Sequence, residues 1–461
     1  MTNILLITVD CLRYDRCGFN GHHRNTTPTL DSLASESLIF DYAYSTGPYT
    51  TESFPGILAG QHSHNGWSFG NRPAWKALGQ DETLATYLKR EGYETGAAIS
   101  NPHLSKDRNF DRGFDQFTNL RKDTHTTRNN DESRFNLEDY LYTIRERMRS
   151  GNSRILNTAY AAYRYTQYQN GWPTKRAETV LDHLVSTIDE FEDEFFAWAH
   201  LMDLHAPIHP DSITQGGLSS LGTASILRTD AARSGYQYTP HYADSYDSAL
   251  RYVDTQIQTL VTELKSRGLW EETILLFTAD HGEALYDRDN VCDHPRQYHY
   301  DELLHVPLLV RRPTGDGERI ETHISLAWLH EIIAHLLDTE TGDFPAQSSR
   351  NNVLTDTSGI VVSDTLDDRG HTVSVRNFDE KVITHQPTES GDPISWEFRD
   401  EDLSVFYRQD PNERSPRTPG PNNQLLAEAN ELFTSPDQLP SLGEGFSSEM
   451  EERLQDLGYK M

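Results

Sequence analysis

Cysteine is scarce: Cys11, Cys17 and Cys292 are the only three in 461 residues, and none forms a Cys-x-x-Cys pair. That excludes a disulfide framework and a cysteine-pair zinc site, and it suits a reducing compartment. No apolar run reaches the eighteen or so residues that a membrane-crossing helix needs, and no stretch is of low complexity. The first predicted strand begins at Asn3, which leaves no room for a charged-then-apolar leader, so the expectation is a cytoplasmic protein with no membrane segment. Lysine is scarce as well, supplying eight of 41 basic residues, while 71 acidic residues bring the net charge to −30. This acidic, lysine-poor composition suggests a halophilic surface, on which carboxylates hold water and salt screens their repulsion, the alternative being an ordinary acidic protein. It argues against nucleic-acid partners, whose phosphates need Lys and Arg. An anionic substrate would therefore depend on a local metal or arginine cluster.

What is present is an alternation of strands and helices. The apolar run Asn3 to Val9 and the run Thr273 to Ala279 have no polar alternation, so both read as strands buried on two faces, as in a parallel sheet. Pro28 opens a short helix, a second helical pattern leads to Gly92, and a buried strand follows at 95–100. Arg176 to Ile188 is amphipathic and feeds a strand at 195–200. A long helix pattern at 242–267 ends at Gly268 as a C-terminal cap. The segment 306–310 reads as the last strand of the core. Beyond Val353 short alternating segments at 372–377, 381–385 and 404–407 predict a small antiparallel sheet closed by a helix. The expected organisation is an α/β unit over 1–350, with a polar insertion at about 121–175, and a small α+β unit over 351–461.

Both buried runs stop at residues that bind metals, Asp10 in one case and Asp280-His281 in the other. In parallel sheets ligand sites lie just past the carboxyl ends of the strands, so the fold could bring Asp10, Asp280 and His281 together. An aspartate after a strand is also a common turn residue or helix cap. The sequence alone leaves both readings open.

Further motifs occur in a fixed order. They run from Val9-Asp10-Cys11-Leu12-Arg13 through Thr26-Thr27-Pro28-Thr29-Leu30-Asp31 to Gly47-Pro48-Tyr49-Thr50-Thr51-Glu52-Ser53, which leads into Leu58-Ala59-Gly60. His200-Leu201-Met202-Asp203-Leu204-His205-Ala206-Pro207 follows, then Thr278-Ala279-Asp280-His281-Gly282-Glu283. The order closes with Tyr300-Asp301-Glu302 up to Pro307 and with Phe406 to Glu413. Across nearly the whole chain this order resembles the sulfatase family of the alkaline phosphatase superfamily. The resemblance implies a three-layer sandwich around a mostly parallel sheet, and an enzyme that hydrolyses small anionic esters with a divalent metal.

Three departures bear on the chemistry. Sulfatases carry a Cys or Ser that is oxidised to formylglycine; here Thr50 stands at that position, and threonine cannot be so oxidised. Cys11 replaces a residue that in many sulfatases is a second metal-binding Asp. Ser100-Asn101-Pro102-His103 falls where the family often has a Lys and a His on the sulfate. A threonine nucleophile resembles instead the phosphodiesterase, phosphoglycerol-transferase and phosphonate-hydrolase relatives. Its hydroxyl must be activated by a metal or a base, and a following helix would add partial positive charge. The plain alternative is that Thr50 only caps that helix.

The resemblance assigns Asp10, Thr50, Asp280 and His281 to the metal. Mixed carboxylate and imidazole donors suit Mn²⁺ or Zn²⁺ better than Ca²⁺, with Mg²⁺ also open. Bimetallic relatives use an Asp-x-x-x-His pair; Asp203 and His205 are only two apart, so one metal is expected rather than two. Thr50, His205 and Arg13 are the expected catalytic residues: nucleophile, proton donor to the leaving group, and clamp on the ester oxygens. Arg13 could equally pair with a neighbouring Asp. His294, His103, Asp203 and Arg296 are expected around the substrate, each histidine having the alternative of a hydrogen-bonded loop residue. The reading is a hydrolase or transferase of a phosphate-type ester that works through a covalent phosphoryl-Thr50 intermediate. Sulfate ester hydrolysis without formylglycine is the first alternative. A binding module for anions or metal, without turnover, is the second.

Overall fold

The computed structural model describes residues 2–65, 67–69, 76–78, 83–120, 174–219, 241–288, 291–339, 359–367, 370–387, 403–407, 409–420 and 422–434, with isolated positions between 159 and 172, between 221 and 227, and at 354. Most of the expected insertion at 121–175 and the junction expected near 350 lie outside the described residues.

An eight-stranded mixed sheet forms the centre. In chain order its strands are β1 (Asn3–Val9), β2 (Ser37–Tyr44), β3 (Glu94–Ile99), β4 (Gln116–Asn119), β5 (Phe195–Leu201), β6 (Thr273–Ala279), β7 (His305–Arg311) and β8 (Glu318–Ser325). They lie in the spatial order β8-β2-β7-β6-β1-β5-β3-β4. Strand β1 is central and runs parallel to both neighbours, β5 and β6. Every residue of these three strands is buried, which is why none shows polar alternation. Complete burial of Ile4, Leu5, Leu6, Ile7 and Val9 stabilises the sheet by about 2 kcal/mol per side chain before entropy is charged.

Strand β7, expected as the last of the core, is neither last nor parallel. It runs antiparallel to both β2 and β6, and β8 follows it at the edge beside β2. Helices cover both faces. Helix α1 (Pro28–Ala34), α4 (Ala177–Ile188), α5 (Pro210–Gly216) and the long α6 (His241–Ser266) pack together on one side. Helix α2 (Thr50–Ala59), α3 (Leu84–Arg90) and the turn leading into α7 (Leu329–Leu336) cover the other. Gly268, with φ 73°, takes the left-handed conformation that terminates α6, as expected.

A second, four-stranded antiparallel sheet is built from β9 (Val361–Asp367), β10 (Gly370–Arg376), β11 (Glu380–Pro387) and β12 (Leu403–Phe406). It is backed by α8 (Gln424–Glu431), with Val373, Val375, Val382, Leu425 and Ala429 as its own small core. Strand β9 also reaches the catalytic unit: Asp364 N donates to Thr46 O at 2.8 Å, and Ser363 Oγ to Ser45 O at 2.6 Å.

Candidate active site

The register of the central strands creates the site. Val9 lies beside Leu201 on one side and Ala279 on the other, so the chain leaves β1, β5 and β6 at one level and places Asp10, Met202 and Asp280 next to one another. Ile99 of β3 pairs with His200, bringing Asn101 to the same edge. Asp10, Asp280 and His281 are all completely buried.

Helix α2 delivers Thr50 to that level as its first residue. Its cap is Tyr49, extended at φ −153°, which offers no side-chain hydrogen bond to the helix. Thr50 is therefore not the cap. Its Oγ1 donates to Asp10 Oδ2 at 3.3 Å and lies 3.5 Å from His281 Nε2. Helix N-terminal amides favour negative charge at this spot.

The donor set fits a divalent metal. Asp10, Asp280 and His281 each offer a ligand atom within 4.8 Å of the others. Asp280 Oδ2 is buried, has no hydrogen-bond partner among the described residues, and sits 3.5 Å from His281 Nε2. Three spacings are short, Thr50 Oγ1 to Asp10 Oδ2 at 3.3 Å, Thr50 Oγ1 to His281 Nε2 at 3.5 Å and His281 Nε2 to Asp280 Oδ2 at 3.5 Å, as expected of donors that share one ion with bonds of about 2.1 Å. His281 Nδ1 lies 2.8 Å from Gly282 O, which keeps the proton on Nδ1 and turns the lone pair of Nε2 toward the cluster. Burial pushes the imidazole down to about 4, so it stays neutral, as a ligand must. The two carboxylates repel one another, which a cation between them would relieve. Burial and the charge of Asp10 push Asp280 up to about 8, while Asp10 is held low because His200 and neighbouring histidines outweigh its burial.

His200 and Asn101 complete the support of Asp10. Asp10 Oδ2 lies 3.2 Å from His200 Nε2 and accepts from Asn101 Nδ2 at 3.1 Å; His200 Nδ1 in turn meets Thr8 Oγ1 at 2.9 Å. His200 is a strand-end residue, as its position suggests, but one that orients a metal-facing carboxylate.

The histidines expected near the substrate converge. The ring of His294 is 4.8 Å from His281, 5.1 Å from His205 and 5.1 Å from Tyr49. His294 Nδ1 lies 3.0 Å from both Glu283 Oε2 and Asp293 Oδ1. Those carboxylates overcome burial and raise His294 to about 10, so it carries a positive charge. His205 keeps Nδ1 2.6 Å from Ala206 O. His103 Nε2 is 3.4 Å from Tyr49 OH, and the Arg296 guanidinium covers the same Tyr49 ring at 4.0 Å while donating to Glu52 Oε1 at 3.2 Å.

Arg13 takes the alternative the sequence left open, and Asp203 departs from its expected place. The Arg13 guanidinium is engaged by Asp15 at 2.7 Å, Asp287 at 2.5 Å and Glu283 O at 3.2 Å, so it braces the loop after β6. Asp203 accepts from Ala177 N at 2.8 Å and from Ser212 Oγ at 2.7 Å, so it caps α4 and does not face a substrate. Sequence reasoning missed the roles of Tyr49, Glu283 and Asp293. Their only signal was adjacency: Tyr49 precedes Thr50, Glu283 ends the Asp280 motif, and Asp293 precedes His294.

A protein-family model described as Sulfatase matches residues 2–339. This chain belongs to the sulfatase family. Among its relatives, the arylsulfatase of Clostridium perfringens is 23% identical over 365 residues, covering 73% of this chain and 74% of that protein. The N-acetylgalactosamine-6-sulfatase of Mus musculus is 24% identical over 305 residues, 62% of this chain and 52% of that one. In structure, this sulfatase-family chain is similar to the phosphonate monoester hydrolase of Agrobacterium radiobacter, with TM-score 0.58, 16% identity, and coverage of 90% and 91% of the two chains. A sulfatase fold from Bacteroides thetaiotaomicron gives TM-score 0.62, 17% identity, and coverage of 94% and 91%. These likenesses confirm the fold expected from the motif order. The protein is an ester hydrolase of the alkaline phosphatase superfamily, of a family that depends on metal and acts on small anionic esters. Among the described residues no helix is long and apolar enough to cross a membrane.

Proposed function

We propose that this protein cleaves a phosphate-type ester with Thr50 as its nucleophile, and that the same site serves hydrolysis or transfer according to the acceptor. The observation that carries this reading is the Thr50 hydroxyl at the vertex of a buried Asp10, Asp280 and His281 cluster, in a family position where formylglycine cannot form. One divalent ion, held by Asp10, Asp280, His281 and Thr50, would lower the pKa of the hydroxyl and neutralise the ester oxygens.

The side chains divide the remaining work. Thr50 Oγ1, its proton released to solvent, attacks phosphorus in line with the leaving alcohol. The His294 imidazolium, with Arg296 beyond Tyr49, supplies positive charge beside the cluster, and His205 or His294 protonates the leaving alcohol. Water or a second alcohol then displaces the phosphoryl group from Thr50, restoring the hydroxyl. A second reading, sulfate ester hydrolysis, is favoured by the sulfatase relatives named above.

The test is a panel of 4-nitrophenyl phosphate, a phosphodiester and a sulfate ester, assayed in concentrated salt with added Mn²⁺ or Zn²⁺. Turnover of a phosphorus ester is expected. Thr50→Ala should lose at least about a thousandfold in kcat while still binding metal, as loss of a nucleophile does. Turnover of the sulfate ester alone would favour the second reading, and none at all with metal bound would leave a binding module. Retained activity in Thr50→Ala would remove the nucleophile from the proposal.

A further inference from the structure

Cys11 takes no part in the chemistry above, yet it stands at the centre of the site. It is completely buried and adopts φ +62°, the left-handed region that non-glycine residues avoid. Successive side chains of an extended chain point to opposite faces. The left-handed turn cancels that alternation and lets Asp10 and Cys11 reach into one space. Such strain persists where the surroundings hold it, commonly at functional sites. The turn is fixed from both sides: Tyr246 OH donates to Cys11 O at 2.6 Å, and Cys11 N donates to Asp280 Oδ1 at 3.3 Å.

The Cys11 thiol donates to Asp10 Oδ1 at 2.8 Å, close for an atom as large as sulfur, and forms a metal-sized group with His281 and His294 within 4.8 Å. His281 belongs to this group and to the carboxylate group alike. His294 Nδ1 is engaged by Glu283 and Asp293 and lies 3.6 Å from Cys11 Sγ, so the sulfur sits between the carboxylate cluster and this imidazole. Independently, the unpartnered buried Asp280 Oδ2 marks where a cation is needed.

We infer that Cys11 is a thiolate ligand of the metal, so that the centre is built for a thiophilic divalent ion, zinc foremost, and against Mg²⁺ and Ca²⁺. This rests on the metal site proposed above and names its occupant. Binding breaks the S–H bond and forms a sulfur–metal bond, with the proton passing to solvent and no change of oxidation state. Soft sulfur donors select zinc, whereas oxygen-only sites suit the hard cations.

The experiment is zinc X-ray absorption spectroscopy on the intact, zinc-loaded protein, combined with zinc binding to the metal-free wild type and to Cys11→Ser, Cys17→Ser and Asp280→Asn. The expected spectrum contains one sulfur at about 2.3 Å. Cys11→Ser should lose that sulfur and weaken zinc binding by about tenfold or more, while Cys17→Ser changes neither. A shell of nitrogen and oxygen only, with zinc affinity unchanged in Cys11→Ser, would overturn the inference and leave the metal site standing. Failure of the wild type to hold zinc, or full retention in Asp280→Asn, would overturn the site itself. The wild-type spectrum decides the ligand question even if Cys11→Ser does not fold.

Discussion

Asp10 and Asp203 both follow the end of a buried parallel strand, and their surroundings give them opposite tasks. Asp10 faces Thr50, Asn101 and His200 across a cluster of metal donors, whereas Asp203 turns back to cap α4. Burial pushes the Asp203 carboxyl up from 3.8 to about 6, only partly offset by Ser212 and the Ala177 amide. A folded state that holds this proton more tightly than the unfolded chain is stabilised below the unfolded value and loses that contribution as pH rises through about 6. Asp203→Asn should therefore flatten the fall in melting temperature between pH 4 and 6 and raise stability at pH 7 by about 1–3 kcal/mol. Thermal melts across that range check it, and an unchanged slope would contradict the assignment. Sequence gave the residue types of the metal cluster through the two strand ends and the motif order. It set Asp203 beside the substrate and left Arg13 open between an ester and a neighbouring Asp, because those choices depend on which loop folds back onto which side chain.

The strands of the site were legible and the flanking ones less so. Asn3–Val9 and Thr273–Ala279 show no polar alternation because both of their faces are buried. Ser37–Tyr44 and Glu318–Ser325 carry exposed charged or polar positions and so lack that signal. Periodicity also carries no strand direction, hence the misplaced β7. Between strand and site the loops are tight. A Cβ on Gly282 would stand 2.0 Å from the backbone oxygen of Glu302, and Gly282 O fixes the ring of His281. Gly282→Ala should cost about 1–3 kcal/mol and weaken metal binding together with turnover, since the overpacked turn must move. Denaturant unfolding and metal titration of the same variant check both halves; normal values for both would mean that the loop is slack.

At the scale of the molecule, the C-terminal sheet was foreseen from its short alternating segments, but not the way it is joined to the catalytic unit. The joint is ionic and buried. Asp301 accepts from Arg376 at 2.6 Å and from Lys381 at 2.9 Å, and Lys381 also pairs with Glu413. Removing one partner of a buried network strands the others, so Asp301→Ala should cost about 3–5 kcal/mol. It should also loosen the contact of β9 with Ser45 and Thr46, just ahead of Thr50, so calorimetry is expected to show a lowered transition together with reduced kcat. An unchanged transition would mean that the joint rests on other contacts. The two sheets meet at Ser45 and Thr46, a few residues ahead of the threonine, and the intact protein offers the most direct test of its role. Acid-quenching the metal-loaded enzyme during turnover of an activated phosphate ester, followed by peptide mass spectrometry, should find one phosphoryl group, carried on Thr50 and absent from Thr50→Ala. Turnover with no covalent adduct, or an adduct on any other residue, would contradict the mechanism.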